Sequence, residues 1–159
     1  MPNTQATNSV QNFRRLPRAW IFQANPDKYK IETSLRVERD EMWNLRQHHK
    51  DVNVYDHVLI WIAGHKAGIY AVGTVTGSPV VTPDTPKGIG YWNDKRDGYR
   101  AIARVPVRYN RVLIDRPVLR DFLLCDPDLW DLSIFRNPRG TNFAVTEAEW
   151  KALKVWLDD

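Results

Sequence analysis

Apolar positions fall in short bursts along this chain, and polar turns separate them. Trp20-Ile21-Phe22 begins the first burst, which runs through Gln23-Ala24 and stops at Asn25-Pro26, a strand of residues 19–23 ending in a turn. Residues 27–39 space Tyr29, Ile31, Leu35 and Val37 among polar residues, as a short helix would. Residues 41–47 suit a second strand. Val58 to Ala63 is a continuous apolar run, the mark of a buried strand, and Gly64-His65-Lys66-Ala67-Gly68 turns the chain so that Ile69 to Val75 pairs back as a hairpin.

Residues 77–98 carry seven glycines and prolines and no periodicity, which predicts a long functional loop around Tyr91-Trp92-Asn93. Residues 100–114 alternate. Ala101, Ala103, Val105, Val107 and Tyr109 share one face, and Arg100, Arg104 and Arg108 share the other, so the expectation is a half-buried strand with a basic outer face. Pro106 within it marks an edge or a bulge. Residues 118–125 read as a short helix ended by Asp126-Pro127-Asp128, with a further turn around Leu129-Trp130. Residues 136–142 form a loop. Thr146 with Glu149 is a capping box that opens a helix over 147–157, with Trp150, Leu153 and Leu157 inward. Short strands without βαβ alternation define an α+β fold, a mixed β-barrel of about five to six strands with short flanking helices.

Length adds that residues 19–159 make a single domain, preceded by a flexible basic tail, residues 1–18, that includes Arg14-Arg15-Leu16-Pro17-Arg18. A formal charge of +4 permits nucleic acid as a partner without demanding it. No apolar run is long enough to span a membrane, and there is no secretory h-region. The single cysteine, Cys125, cannot form an internal disulfide; it fits a reducing, cytoplasmic setting, and its Leu-Leu-Cys context predicts a buried thiol.

Catalytic patterns are missing. His48, His49, His57 and His65 form no metal-ligand motif, no nucleophile elbow or P-loop occurs, and Glu38, Asp40 and Glu41 read as solvated surface. Neither a metal nor a cofactor is expected. What remains is binding chemistry. Seven tryptophans offer flat faces, and an Asn amide offers one acceptor and two donors, the combination that reads a nucleobase. Arg104, Arg108, Arg136 and Arg139 are the candidates for phosphate contacts.

Trp20-Ile-Phe-Gln-Ala-Asn25-Pro26, Trp43, Leu59-Ile-Trp61, Lys66-Ala-Gly68-Ile-Tyr70-Ala-Val-Gly73 and Arg136-Asn-Pro-Arg-Gly140-Thr141-Asn142-Phe143 together resemble an EVE domain, over residues 19 to 153. Ala24 departs from a common glycine, and Ile62-Ala63 from a more polar pair. The resemblance implies a PUA-like barrel related to YTH and ASCH domains, with a pocket for a flipped-out base and no catalysis. It implies a reader of 5-methyl- or 5-hydroxymethylcytosine in DNA. The alternatives are a modified-RNA reader of the YTH type and a small ASCH-type hydrolase of modified nucleosides. Carried onto this chain, it places Trp20, Asn25, Trp43 and Trp61 in the pocket, Gly64 and Lys66 at its rim, and Arg136, Thr141 and Asn142 in the closing loop. Trp92 joins this aromatic set from its own loop. The expected partner is nucleic acid, DNA before RNA, bound by a monomer that works with a separate nuclease or effector.

Overall fold

A computed structural model describes residues 15–158. Eight strands are present: β1 (Ala19–Ala24), β2 (Asp40–Asn44), β3 (His57–Ile62), β4 (Gly68–Val75), β5 (Val80–Thr82), β6 (Ile102–Val112), β7 (Val118–Leu119) and β8 (Asn142–Val145). Among the described residues six α-helices accompany them, α1 (Ile31–Val37), α2 (Pro86–Tyr91), α3 (Lys95–Tyr99), α4 (Arg120–Leu123), α5 (Ser133–Arg136) and α6 (Glu147–Leu157), with one turn of 3-10 helix at Pro127–Leu129. The sheet order is β2-β6-β4-β3-β1-β8, with β5 added to β6 and β7 to β4. The result is a curled, open half-barrel of the PUA-like kind.

Period-2 alternation buries both faces of the sheet. On one face, Trp20, Phe22 and Ala24 of β1 join Val58, Ile60 and Ile62 of β3 in the core inside the curl. On the other, Ala19, Ile21, Leu59 and Trp61 pack under Leu123, Leu129, Leu132, Ile134, Leu153 and Leu157. The predicted hairpin is present: β3 and β4 are antiparallel, joined by residues 63–67, with Gly64 at φ +112°, a backbone state that glycine adopts without a Cβ penalty. The capping box is complete, since Thr146 Oγ1 accepts from Glu149 N and the Glu149 carboxylate accepts from Thr146 N.

Several expectations change. Residues 77–98 are not one loop but hold β5, α2 and α3. Thr85 and Asp94 cap the two helices, which are too short to show a period. The strand expected over 41–47 ends at Asn44, which leaves His48 in a loop at φ 60°. Val118-Leu119 is a strand pairing Gly68-Ile69, so the helix after Pro117 is only one turn. Cys125 is exposed rather than buried, because the turn that follows α4 faces it outward. Pro106 lies in β6 between two partners: β5 pairs as far as Arg104, and β4 begins at Val107. Of the basic tail, residues 1–14 lie outside the described residues. Arg15 is held on the domain by two hydrogen bonds to the Asp56 carboxylate, at 3.0 and 2.9 Å. No helix among the described residues is long and apolar enough to cross a membrane.

Candidate functional site

Where β1 ends beside β2, a cavity of about 470 Å³ opens. Its walls come from five places: Gln23 to Tyr29, Glu41 to Arg46, Ala63, Trp92, and the loop Pro138 to Thr141. Asn25, Trp43, Trp92, Thr141 and Arg139, each expected from the sequence, meet here. Trp43 is 7% exposed and packs against Phe22, with ring centroids 6.2 Å apart. Trp92 meets Tyr29 edge-on at 4.9 Å and donates its indole N–H to Asp84 at 2.8 Å. Each tryptophan is therefore fixed by a ring neighbour and by an anchored indole N–H before any ligand arrives.

Beneath Trp43 lies a buried polar network. The indole N–H donates to Tyr109 Oη at 2.9 Å, and Tyr109 in turn donates to Glu41. Tyr29 Oη donates to the other Glu41 oxygen at 2.6 Å, and Ser34 Oγ lies 3.1 Å from Glu41 Oε2. Burial raises the Glu41 carboxyl above its ordinary range, and the hydroxyls of Tyr109, Tyr29 and Ser34 oppose that shift. Burial, then the Glu41 charge, pushes both tyrosines up. Glu41 is thus no solvated surface carboxylate. A residue on the edge strand β2 faces either solvent or the curl, and its alternation with Trp43 is the signal that the sequence held.

The closing loop is held by two glutamines. Gln23 Nε2 donates to the carbonyls of Pro138 and Gly140 at 2.8 and 2.7 Å. Gln47 Oε1 accepts from the amides of Thr141 and Asn142, both at 2.9 Å. Gln23, the one polar residue in an apolar strand, was visible as an anomaly in the sequence. Gln47 carries no such mark.

Other expected site residues lie elsewhere. Trp20 is in the core, where its indole N–H donates to Asp56 at 2.8 Å. Trp61 points to the opposite face of the sheet, against Phe135, because it alternates with Ile60 and Ile62. Neither borders the cavity. Asn142 is buried; its carbonyl oxygen accepts from Arg46 N and Gln47 N, and its amide donates to Asn44 O, so it braces the site. Gly64 and Lys66 line a neighbouring cleft that shares only Asn25 and Ala63 with the cavity. Arg136 is exposed at the end of α5 and outside the lining.

Arg104 is the largest correction. It is fully buried, and its guanidinium donates to Asn44 Oδ1 and to the carbonyls of Thr82, Arg100 and Asp97. It ties β5 and α3 to the barrel and cannot meet a phosphate. Its expected outer face is covered by β5 and α3, from the segment over 77–98 that shows no sequence periodicity. Arg108 is exposed and paired with Asp40 at 2.9 Å. Lys28 and Arg46 line the cavity and were missed. Among the described residues no cluster of three or more His, Cys, Asp or Glu side chains is arranged to hold a metal.

A half-barrel with short flanking helices and an aromatic cavity at one end of its sheet defines a PUA-like domain. Residues 18–154 match the EVE domain family, and the chain belongs to it. Solved structures share the fold. A hypothetical protein from Leishmania major is 14% identical, with 90% of this chain and 96% of that one covered at a TM-score of 0.68. A Pseudomonas putida protein is 19% identical, with 86% and 97% covered at 0.62. Human THYN1 protein, in complex with 5-methylcytosine-containing DNA, is 12% identical, with 89% and 98% covered at 0.65. No curated protein matches the chain.

Proposed function

We propose that this domain is a non-catalytic nucleic-acid-binding module that takes a modified base, 5-methyl- or 5-hydroxymethylcytosine in DNA, into the cavity after the base flips out of its stack. The observation that carries this reading is the convergence of Trp43 and Trp92 with Asn25 and Arg139 on one cavity. Indole faces stack on any base, and an amide beside them reads its edge. Family membership and the DNA-bound human relative of the same fold support it. Cleavage or signalling would fall to a separate nuclease or effector.

One observation favours a hydrolase as the second reading: Lys28 and Glu41 line the same cavity, a potential acid–base pair. Against it, both Glu41 oxygens already accept hydroxyls of the fold. Thermal-shift screening against modified and unmodified nucleosides, followed by mass spectrometry of the same mixtures, tests the proposal. Stabilisation without turnover supports a reader. Product formation refutes it.

A further inference from the structure

The hydrogen-bond inventory of the cavity is lopsided. Its side-chain acceptors are largely occupied by the fold: Asn25 Oδ1 accepts from Asp27 N at 2.9 Å, Asn44 Oδ1 accepts from Arg104 Nε at 3.1 Å, and both Glu41 oxygens hold hydroxyls. Several backbone acceptors are taken too. The carbonyls of Ala24, Asn25, Asn44, Pro138, Gly140 and Thr141 each accept a protein N–H. Gln23 Oε1 and the Thr141 hydroxyl are the exceptions among the side chains.

The donors are open. Lys28, Arg46 and Arg139 line the cavity, and among the described residues none of their side-chain nitrogens has an acceptor. The same holds for Asn25 Nδ2 and Asn44 Nδ2. The orientation of both amides follows from their partners, since an N–H of the backbone or of a guanidinium can be accepted only by oxygen. A cavity lined by open donors and occupied acceptors favours a ligand that brings acceptors of its own.

We propose that the cavity selects a modification that itself carries hydrogen-bond acceptors, so that oxidised 5-substituents of cytosine, carboxyl and formyl above all, are preferred over a bare methyl. This rests on the reading of the domain as a modified-base reader and sharpens its ligand. A methyl group is served by Ala24, Ala63 and the tryptophans but leaves the amide donors unmatched. A carboxylate meets them and gains from three cations at the same cavity.

The test uses single-stranded oligonucleotides, so that differences in base pairing do not contribute. Each carries one cytosine, 5-methyl-, 5-hydroxymethyl-, 5-formyl- or 5-carboxylcytosine at the same position. The 5-carboxyl oligonucleotide should bind roughly tenfold tighter than the 5-methyl one, the scale of one charge-assisted hydrogen bond. Asn25→Asp and Asn44→Asp keep the occupied oxygen and replace the open donor by an acceptor. Each should lower the 5-carboxyl affinity much more than the 5-methyl affinity, so that the ratio of the two falls to about one, while Asn25→Asp leaves Tm unchanged. A 5-methyl oligonucleotide bound as tightly as the oxidised ones, or a preference that survives both substitutions, overturns the proposal while leaving the reader intact. If no modified base is told from cytosine, the reader falls and the proposal with it.

Discussion

Trp43 and Glu41 are joined through one phenol: the indole N–H of Trp43 donates to Tyr109 Oη, and Tyr109 donates to the Glu41 carboxylate. The face proposed to stack on the base is therefore anchored to a buried polar network on β2 and β6. Trp43→Ala should weaken binding of a modified oligonucleotide by about 1–3 kcal/mol, the worth of one stacked base. Trp43→Phe keeps an aromatic face and removes the N–H. It should retain most of the binding while costing about 1 kcal/mol of stability, as a buried hydrogen bond does. Isothermal titration beside thermal melts separates the two. Normal binding by the Ala variant would place Trp43 in the core alone.

The four arginines divide. Arg104→Met takes the guanidinium donors from three part-buried carbonyls and from Asn44 Oδ1, so it should destabilise the fold by about 1–3 kcal/mol. The exposed pair Arg136 and Arg139 should behave oppositely. Replacing both by Ala should weaken 5-methylated and unmodified DNA alike and reduce the salt slope by roughly 0.7–0.9 per lost phosphate contact. Titrations at several salt concentrations, with urea melts alongside, check both outcomes. An unchanged slope in the double variant would remove these arginines from the interface.

Two buried carboxylates give stability opposite pH slopes. Burial alone would raise Asp56, but hydrogen bonds from Arg15, Trp20, Arg18 and Asn53 outweigh it and bring its pKa below the ordinary value. Its contribution is thus present above the unfolded carboxylate pKa and lost as pH falls through the folded one. Glu41 is raised, so its contribution is full below the unfolded pKa and lost as pH rises through the folded one. Asp56→Asn should lower Tm and flatten the acid limb of the Tm–pH curve. Glu41→Gln should flatten the decline above the ordinary carboxylate range. Parallel curves for variant and wild type would contradict either assignment.

Trp150 lies on α6 with its ring stacked on His57, centroids 4.8 Å apart at 21°, on the face of the sheet away from the cavity. Trp150→Ala should lower Tm and leave the ratio of modified to unmodified affinity unchanged, as melts and competition titrations can show.

Strong local signals carried much of this architecture. The apolar run of β3, the glycine turn into β4 and the Thr146–Glu149 box each appear in the structure as their sequence implies. What stayed hidden was the sense of alternation. Period 2 says that Trp61 and Ile62 face opposite ways, not which of them faces the cavity, so the alternation could not correct the resemblance that sets Trp61 in the pocket. Arg104 was misread for a related reason: a strand face looks solvent-exposed until the segment that covers it is known, and α3 is five residues long. Asn25, Trp43 and Thr141, which the family resemblance sets together, and Trp92, which stands in a Gly/Pro-rich segment, all line one cavity. Gln47, Lys28 and Arg46 act through tertiary placement, which no local pattern encodes.

The central claim is that the cavity distinguishes a modified from an unmodified base. The most direct measurement is fluorescence anisotropy with two labelled duplexes identical but for one 5-methylated or oxidised cytosine, at a salt concentration high enough to suppress backbone binding. The account predicts that the modified duplex binds roughly tenfold tighter or more, a difference that Trp43→Ala removes. Equal affinities for the two duplexes in the wild-type protein would contradict it.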